Sequence, residues 1–198
     1  MDFQHTSVLL NEAVEALITN PDGIYVDCTL GGGGHSTAIA KKLSSKGWLI
    51  GIDQDPAAVR AGQARLSDAA CQTTFVRSNF QELDSILNEL EIDMVDGVLF
   101  DLGVSSHQLD VAERGFSYMN DGPLDMRMNP EDPLSAYKVV NEYSEERLAE
   151  VIFEYGEERW GRRIAKSIVE RRSQEPIKTT GELAEAIKRA IPAAARRE

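Results

Sequence analysis

Short apolar runs alternate with helical patterns along the first half of the chain. The apolar runs have the length of strands and lie at residues 24–27, 48–53, 74–76 and 95–102. The intervening segments, in which apolar residues recur at helical spacing, lie at residues 10–18, 37–43, 56–66 and 83–90. A repeated β-α unit predicts a parallel, doubly wound sheet. The fold class that we expect is therefore α/β.

Local signals refine this pattern at two points. The run Val98-Leu99-Phe100 lacks the alternation of a half-exposed strand, which predicts a strand covered by helices on both faces. Asp55 precedes Pro56, and an acidic N-cap followed by proline is typical of a helix start. The third helix should therefore begin directly after the second strand.

After Leu102 the alternation stops. A long irregular segment follows, interrupted by glycines and prolines, and loops of this length are usually functional. From Ser144 onward the pattern is helical, and capping-box spacing at residues 179–182 opens a last helix. We therefore expect two parts, with the sheet in residues 1–105 and a loop plus helical subdomain in residues 106–198.

Composition narrows the class of protein. Hydrophobic residues make up 42% and charged residues 27% of the 198 residues, as in globular proteins. No apolar run approaches the roughly 20 residues that span a bilayer, and the N-terminus lacks the features of a secretion signal, so we expect a cytoplasmic protein. The two cysteines and three scattered histidines lack zinc-ligand spacing, which predicts no metal site.

Charge is segregated along the chain. Residues 1–158 carry 10 Lys and Arg against 28 Asp and Glu, a net charge of −18, whereas residues 159–198 carry 11 against 5, a net charge of +6. This asymmetry is compatible with a local nucleic-acid surface on an otherwise acidic protein. A solvated helical tail is the alternative.

A glycine-rich loop follows the first strand. Residues 27–36 read DCTLGGGGHS, so that an apolar run breaks into four glycines and then into a helical pattern. Glycines permit a sharp turn and a close approach of a ligand to the backbone, and the helix start offers free N–H groups. A dehydrogenase fingerprint would have glycine in place of Ser36. The acid followed by glycines is instead close to the loop of S-adenosylmethionine-dependent methyltransferases, with a structural turn as the alternative.

Three further residues lie near the carboxyl ends of predicted strands, where ligands bind in doubly wound sheets. Asp53 lies about twenty residues beyond the glycines, where an acid can accept both ribose hydroxyls; Asp55 already fills the alternative role of helix cap. Phe80 follows the third strand and can pack on an adenine face or in the core. Asp101 is the best-placed acid for handling a substrate amine, with a purely structural acid as the alternative.

Seven segments carry a closer resemblance. They read HTSVLL at residues 5–10, DCTLGGGGHS at 27–36, DQDP at 53–56, DLGVSSHQL at 101–109, RGFSYMNDGPLDMRM at 114–128, YGEER at 155–159 and RIA at 163–165. In these segments, which extend over essentially the whole chain, the sequence resembles the MraW-type, small-subunit ribosomal RNA methyltransferase H family. The resemblance implies a Rossmann-like methyltransferase fold, in which residues 1–105 bind the cofactor and residues 106–198 form an inserted subdomain for RNA recognition.

The resemblance also implies an activity and a set of site residues. The activity is methylation of the exocyclic N4 of a cytidine in 16S ribosomal RNA, with S-adenosylmethionine as methyl donor and the small ribosomal subunit as partner. Contacts to S-adenosylmethionine are implied at Gly33, Gly34, His35, Asp53, Phe80, Asp101 and Gln108. Asp101 is the candidate catalytic residue.

Candidate RNA contacts lie in the second part of the chain. Phe116 and Tyr118 can stack on bases or anchor the loop. Basic residues can grip phosphates or form a solvated helix face, and those considered are Arg159, Arg162, Arg163, Lys166, Arg171 and Arg172.

One departure from the family leaves a second class of function open. Family members continue with further sheet strands, so that about a third of the expected protein would be missing and the fourth strand would be an exposed edge. The competing interpretation is a truncated, non-catalytic protein that binds RNA or a partner. A nucleotide-dependent oxidoreductase is disfavoured by Ser36 and by the lack of a hydride-transfer constellation.

Overall fold

The computed structural model describes residues 9–195. Residues 5–8 of the HTSVLL segment and residues 196–198 lie outside this range. The chain divides into two compact units, Met1–Ser105 and Ser106–Glu198. Within the described range, none of the helices combines the length and the apolar character needed to cross a membrane.

In its described residues, the first unit is built on a parallel sheet. The strands are β1 (Ile24–Asp27), β2 (Trp48–Asp53), β3 (Gln72–Arg77) and β4 (Gly97–Leu99), in the order β3-β2-β1-β4. All neighbouring strands are parallel, with Ile24 opposite Trp48 and Asp27 opposite Leu99. The α/β fold class predicted from the alternation is thereby confirmed.

Helices pack on both faces of this sheet. They are α1 (Leu10–Leu17), α2 (Gly34–Lys42), α3 (Pro56–Arg65) and α4 (Leu83–Glu89). One apolar core joins Tyr25 and Leu49 to α1 and α2, and a second joins Val26 and Ile50 to α4. Successive strand residues point to opposite faces. Both faces of β1 and β2 are therefore buried. The run Val98-Leu99-Phe100, for which cover on both faces was predicted, is only partly covered: Leu99 packs on the first core and Val98 on the second, whereas Phe100 lies beyond β4 and is 47% exposed.

Local capping decides where these helices begin. At the start of α3 the Asp55 carboxylate accepts the N–H of Ala57 at 2.9 Å, which confirms the predicted N-cap. The predicted start of the second helix at residue 37 is wrong, because Gly33 (φ 74°) occupies the N-cap and α2 begins at Gly34. Glycine adopts this left-handed conformation without the steric cost that other residues carry.

β4 (Gly97–Leu99) is shorter than the predicted 95–102, and a side chain accepts a backbone N–H at each of its ends. Ahead of the strand, the Asp96 carboxylate accepts the N–H of Ile24 at 2.8 Å. Beyond it, the N–H of Asp101 donates to the Thr29 hydroxyl at 2.7 Å. The Asp96 N–H still donates to the Ile24 carbonyl at 2.8 Å, but the Ile24 N–H and the Asp101 N–H are both bonded to side chains. β3, in contrast, is longer than the predicted 74–76.

The second unit consists of helices around a separate core. The helices are α5 (Ser106–Asp110), α6 (Ala136–Glu142), α7 (Glu145–Gly156), α8 (Gly161–Arg172) and α9 (Thr180–Ala190). Leu148 of α7, Ile164 and Ile168 of α8 and Ala186 of α9 are buried together. These positions recur at helical spacing, so each helix turns one apolar side toward the shared core.

Hydroxyl side chains cap three helices of this unit. Ser144 caps α7, and Thr179 forms a complete capping box with Glu182 at the start of α9, which confirms the predicted box. Ser135 caps α6. The sequence pattern missed α6, because the helix is short and buries Val140 alone.

The irregular segment between α5 and α6 is tied to the start of α9. The N–H of Thr180 donates to the Gly122 carbonyl at 2.9 Å, and the N–H of Gly181 donates to the Asp121 carboxylate at 2.8 Å. Leu124 is buried in the core of the unit. A segment whose backbone is bonded at such points is an integral part of the fold.

Candidate functional site

The first unit gathers polar residues at the carboxyl ends of its strands. The strand order reverses between β1 and β4, and ligands of doubly wound sheets bind at such a switch point. The connections that follow β1, β2 and β4 all begin at this end of the sheet. The predicted site residues in this unit are Gly33, Gly34, His35, Asp53, Phe80 and Asp101.

The glycine loop after β1 is held in a tight turn. Gly31 (φ 49°) and Gly33 (φ 74°) adopt left-handed conformations, and the Gly33 N–H donates to the Leu30 carbonyl at 2.8 Å. Leu30 is buried, and a Cβ on Gly62 would lie 2.6 Å from its side chain, so α3 packs closely against the loop. The shape of the turn is therefore fixed by the fold itself.

Asp53 at the end of β2 is oriented toward this loop. One of its carboxylate oxygens accepts the N–H of Gly31 at 2.8 Å, and the other accepts the N–H of Asp55 at 2.9 Å. Burial raises the pKa of the Asp53 carboxyl, although the N–H donors of Asp55 and Gly31 oppose the shift. A carboxylate offers about four lone-pair positions, and the N–H groups of Asp55, Gly31 and Gln54 that act on Asp53 do not use all of them. Asp53 can therefore accept further hydroxyl donors from a ligand at the loop.

Asp101 lies two residues beyond β4 and next to α2. One carboxylate oxygen is 3.5 Å from His35 Nδ1, and 47% of the Asp101 side chain is exposed against 7% for His35. The structure thus brings together two candidates that are far apart in the sequence. An exposed carboxylate held beside a buried imidazole can accept a hydrogen from a ligand without losing its orientation.

A buried hydrogen-bond network around Asp27, which the hydrophobic pattern of the sequence does not reveal, links the glycine loop with α2 and, through Thr29, with Asp101. Asp27 is fully buried, and its carboxylate accepts bonds from the Ser36 hydroxyl at 2.6 Å and from the Thr29 N–H at 3.1 Å. Desolvation raises the pKa of the Asp27 carboxyl. The sequence does carry a signal for this network: Asp27 ends an apolar strand, and the hydroxyl residues Thr29 and Ser36 follow closely. A buried carboxylate needs hydrogen-bond donors of this kind.

Phe80 is fixed by packing in a short turn after β3. Its ring lies edge-on to Phe100, with 5.5 Å between the ring centroids. The side chain also packs, partly buried, against the core that contains Val26. The core role considered for Phe80 is therefore present in the structure, and its contact to an adenine stays a prediction.

Gln108, Phe116 and Tyr118 belong to the second unit. Gln108 is buried in α5, and its contact to a cofactor stays a prediction. The Arg114 guanidinium lies 5.8 Å from the centroid of the partly buried Phe116 ring, so this aromatic residue is packed within the loop. Tyr118 is 67% exposed, which leaves its ring accessible for stacking.

Four exposed basic residues follow one line along the start of α8, and we refer to Arg159, Arg162, Arg163 and Lys166 as the basic stripe. Arg159 lies just ahead of α8, and Arg162, Arg163 and Lys166 follow it by three, four and seven residues. This spacing places the three helical residues on one side of α8. The guanidinium groups of Arg159 and Arg163 lie 5.2 and 5.3 Å from the Trp160 ring centroid. Cation-π contacts restrict both side chains.

Arg171 and Arg172 are bonded within the second unit and are left out of the basic stripe. The Arg172 guanidinium donates to the carbonyls of Val140 and Tyr143 at the end of α6. The Arg171 guanidinium donates to the Glu175 carbonyl at 2.9 Å. Both arginines thus satisfy carbonyl groups that have no partner within a helix.

Comparison with known proteins gives one consistent family. A family model described as the MraW methylase family matches residues 2–198. Three relatives are each named ribosomal RNA small subunit methyltransferase H. The relative from Clostridium botulinum (strain Kyoto / Type A2) is 60% identical to this chain over 198 residues. Those from Clostridioides difficile (strain 630) and Brevibacillus brevis are both 56% identical, over 196 and 197 residues.

These alignments take in 99–100% of this chain but only 63–64% of each relative. The chain thus spans somewhat less than two thirds of the length of the curated relatives that it matches. A solved structure from Clostridium thermocellum aligns with 53% of this chain and 55% of its own length, at 21% identity and a TM-score of 0.43, which supports no further conclusion.

Proposed function

Because this chain belongs to the MraW methylase family, we propose that it binds S-adenosylmethionine and serves the methylation of the exocyclic N4 of a cytidine in 16S ribosomal RNA. The first unit would hold the methyl donor, and the second would contact the RNA of the small ribosomal subunit. The observation that carries the proposal is the convergence of the glycine loop, Asp53 and Asp101 at the carboxyl end of one parallel sheet.

The residues of the first unit fit S-adenosylmethionine. Asp53 retains acceptor capacity for the two ribose hydroxyls, and it is already bonded to Gly31 of the loop. The backbone of Gly33 and Gly34 and the side chain of His35 would meet the methionine part. S-adenosylmethionine has no pyrophosphate that would need a helix start, so a loop that contacts it through backbone groups is sufficient. Phe80 completes the proposed contacts within this unit, and a contact from Gln108 is what the family resemblance implies.

Asp101 would act on the substrate amine. When bound, S-adenosylmethionine supplies an electrophilic methyl group on a positively charged sulfur. The lone pair of cytosine N4 is delocalised into the ring, so the site must orient the amine and accept its N–H groups as positive charge develops. The partly exposed Asp101 carboxylate lies 3.5 Å from His35 Nδ1, and the backbone N–H of Asp101 is fixed by the Thr29 hydroxyl, so the carboxylate is suited to that task.

The basic stripe would bind the RNA backbone. It lies in the part of the chain that has a net charge of +6, whereas residues 1–158 carry −18. Two of its arginines are held by Trp160, so less side-chain freedom is lost when a phosphate binds. The exposed Tyr118 is the candidate for stacking on an unpaired base.

Calorimetry and a methylation assay test the proposal in sequence. The chain is first titrated with S-adenosylmethionine, and saturable binding at one site is expected. Small ribosomal subunits lacking the modification are then incubated with the chain and a labelled methyl donor. Absence of cofactor binding would refute the proposal, while binding without transfer would favour the non-catalytic RNA- or partner-binding function, which the chain's coverage of 64% of a relative keeps open.

Replacing Arg162 and Lys166 by alanine is expected to weaken binding of single-stranded RNA and to reduce its salt dependence. Each phosphate contact contributes a slope of about −0.7 in log affinity against log salt for single strands, so the double variant should lose about 1.4 from the slope. Fluorescence anisotropy with a labelled oligonucleotide measures both quantities. The control removes two exposed lysines of the first unit, Lys41 and Lys42. An equal loss in the control would mean that the stripe is not the RNA surface.

A further inference from the structure

The end of the β1–β4 pairing is closed by a side chain. Asp27 lies opposite Leu99 in the sheet register, and the Cys28 N–H donates to the Leu99 carbonyl at 2.9 Å. Two residues beyond each strand end, the Thr29 hydroxyl accepts the N–H of Asp101 at 2.7 Å. This bond connects the glycine loop with the segment that carries the candidate catalytic carboxylate.

Thr29 is itself firmly anchored. Its N–H donates to the Asp27 carboxylate at 3.1 Å, and its hydroxyl oxygen lies 3.5 Å from the same carboxylate oxygen. Asp27 is fully buried and is also bonded to the Ser36 hydroxyl of α2 at 2.6 Å. A hydroxyl has one hydrogen to donate and two lone pairs to accept, so Thr29 can serve Asp27 and Asp101 at the same time.

Asp101, in contrast, lies in a segment with little burial of its own. Phe100 before it and Leu102 after it are 47% and 71% exposed. The Asp101 carboxylate is 3.5 Å from His35 Nδ1, the outer limit of a hydrogen bond, so a small shift of the Asp101 backbone would separate the two groups. The bond to Thr29 is the contact that ties the Asp101 backbone to the buried network.

We propose that Thr29 is a positioning residue, whose hydroxyl holds the Asp101 backbone so that the Asp101 carboxylate faces His35 and the cofactor. The inference rests on the proposed function, because it assumes that Asp101 contacts S-adenosylmethionine. It adds a residue that acts through Asp101 and touches neither cofactor nor substrate. Hydrogen bonds from Ser36 to Asp27, from Thr29 to Asp27 and from Asp101 to Thr29 then connect α2 with the loop after β4.

The first test follows the Asp101 amide directly. Hydrogen exchange by NMR is compared in the wild type, in Thr29→Val and in Thr29→Ser. Valine has nearly the shape of threonine but lacks the hydroxyl, whereas serine keeps it. We expect the Asp101 amide to exchange at least about tenfold faster in the valine variant, with protection retained in the serine variant. Unchanged protection in Thr29→Val would overturn the proposal.

The second test measures S-adenosylmethionine affinity by calorimetry in the same proteins. Thr29→Val should bind about tenfold more weakly, as expected for the loss of one hydrogen bond, and Thr29→Ser should bind within about twofold of the wild type. Thr73→Val, a matched exchange in β3 near the opposite end of its strand, should change nothing. Melting temperatures identify any variant that fails to fold, and Thr29→Ala, which also lacks the hydroxyl, carries the test if Thr29→Val does not fold.

A double-mutant cycle separates positioning from general stability. If Thr29 acts through Asp101, adding Thr29→Val to Asp101→Ala lowers the affinity no further. Additive losses would overturn the proposal and assign Thr29 a structural role. A wild type that binds no S-adenosylmethionine would refute the proposed function together with the inference. Normal binding by the wild type and by Thr29→Val would refute the inference alone.

Discussion

Replacing Asp53 by alanine is expected to lower the affinity for S-adenosylmethionine by at least about hundredfold. Hydrogen bonds to a charged group contribute about 1.5–3 kcal/mol each, and the variant would lose the two that we propose to the ribose hydroxyls. A loss of about 1.4 kcal/mol corresponds to a factor of ten in affinity. In the wild type the Gly31 N–H donates to Asp53 at 2.8 Å. The variant removes this acceptor, so the glycine loop also loses a hydrogen bond that holds its shape. Isothermal titration calorimetry measures the loss.

Two further variants control this result. Asp68→Ala removes a carboxylate from an exposed position beyond α3 and should leave the affinity unchanged. Asp53→Asn keeps one oxygen acceptor but no charge, so its affinity should fall between those of the wild type and Asp53→Ala. If Asp53→Ala bound as tightly as Asp68→Ala, Asp53 would have no place in the cofactor site.

The pH dependence of S-adenosylmethionine binding is a second test of the role of Asp53. Burial raises the pKa of Asp53 above its ordinary value of 3.8. In the proposed site the ionised form would accept both ribose hydroxyls, so the affinity should be complete above the raised pKa and should be lost as the pH falls through it. Asp53→Asn cannot titrate and should lack this component. An identical decline in both proteins would assign the pH dependence to another group.

Gly122→Ala is expected to destabilise the second unit by about 3 kcal/mol. A Cβ at this position would lie 1.9 Å from the Ala112 carbonyl oxygen and 2.7 Å from its carbon, so the clash is with backbone. The segment has little room to move, because the Gly122 carbonyl accepts the Thr180 N–H at 2.9 Å and its own N–H donates to the Thr180 hydroxyl at 3.2 Å.

Amide hydrogen exchange measures this effect unit by unit. Protection in α9 should fall in Gly122→Ala, whereas amides of β2 in the first unit serve as an internal reference. The matched control is Gly156→Ala at the end of α7, where an added Cβ meets nothing within 4 Å. Alanine there should stabilise the helix by up to about 1 kcal/mol. Equal protection in the two variants would mean that the contact between residues 112 and 122 is not tight.

The parts of the fold that depend on neighbours in sequence were predictable. β1 matches its apolar run residue for residue, and Asp55 and Thr179 cap the helices that their local spacing indicates. The candidate positions Gly33, Asp53 and Asp101 follow from strand ends and from the family resemblance. These features depend on periodicity and on capping within a few residues, which the order of amino acids records directly.

The remaining features depend on residues that meet only after folding. Thr29 and Asp101 are 72 positions apart and form one hydrogen bond, which also ends β4 early. Arg172 looked like a phosphate contact from its charge, but its guanidinium is occupied by carbonyl groups of α6. The early start of α2 depends on the left-handed conformation of Gly33.

The sequence by itself therefore determined the α/β class, the positions of the glycine loop and of Asp53, and the segregation of basic charge into residues 159–198. Only the tertiary structure decided which polar groups satisfy one another, namely the buried Asp27 network, the pairing of Asp101 with His35, and the arginines around Trp160. The physical reason is that hydrogen bonds and ion pairs act over a few ångströms in space, whatever the distance along the chain.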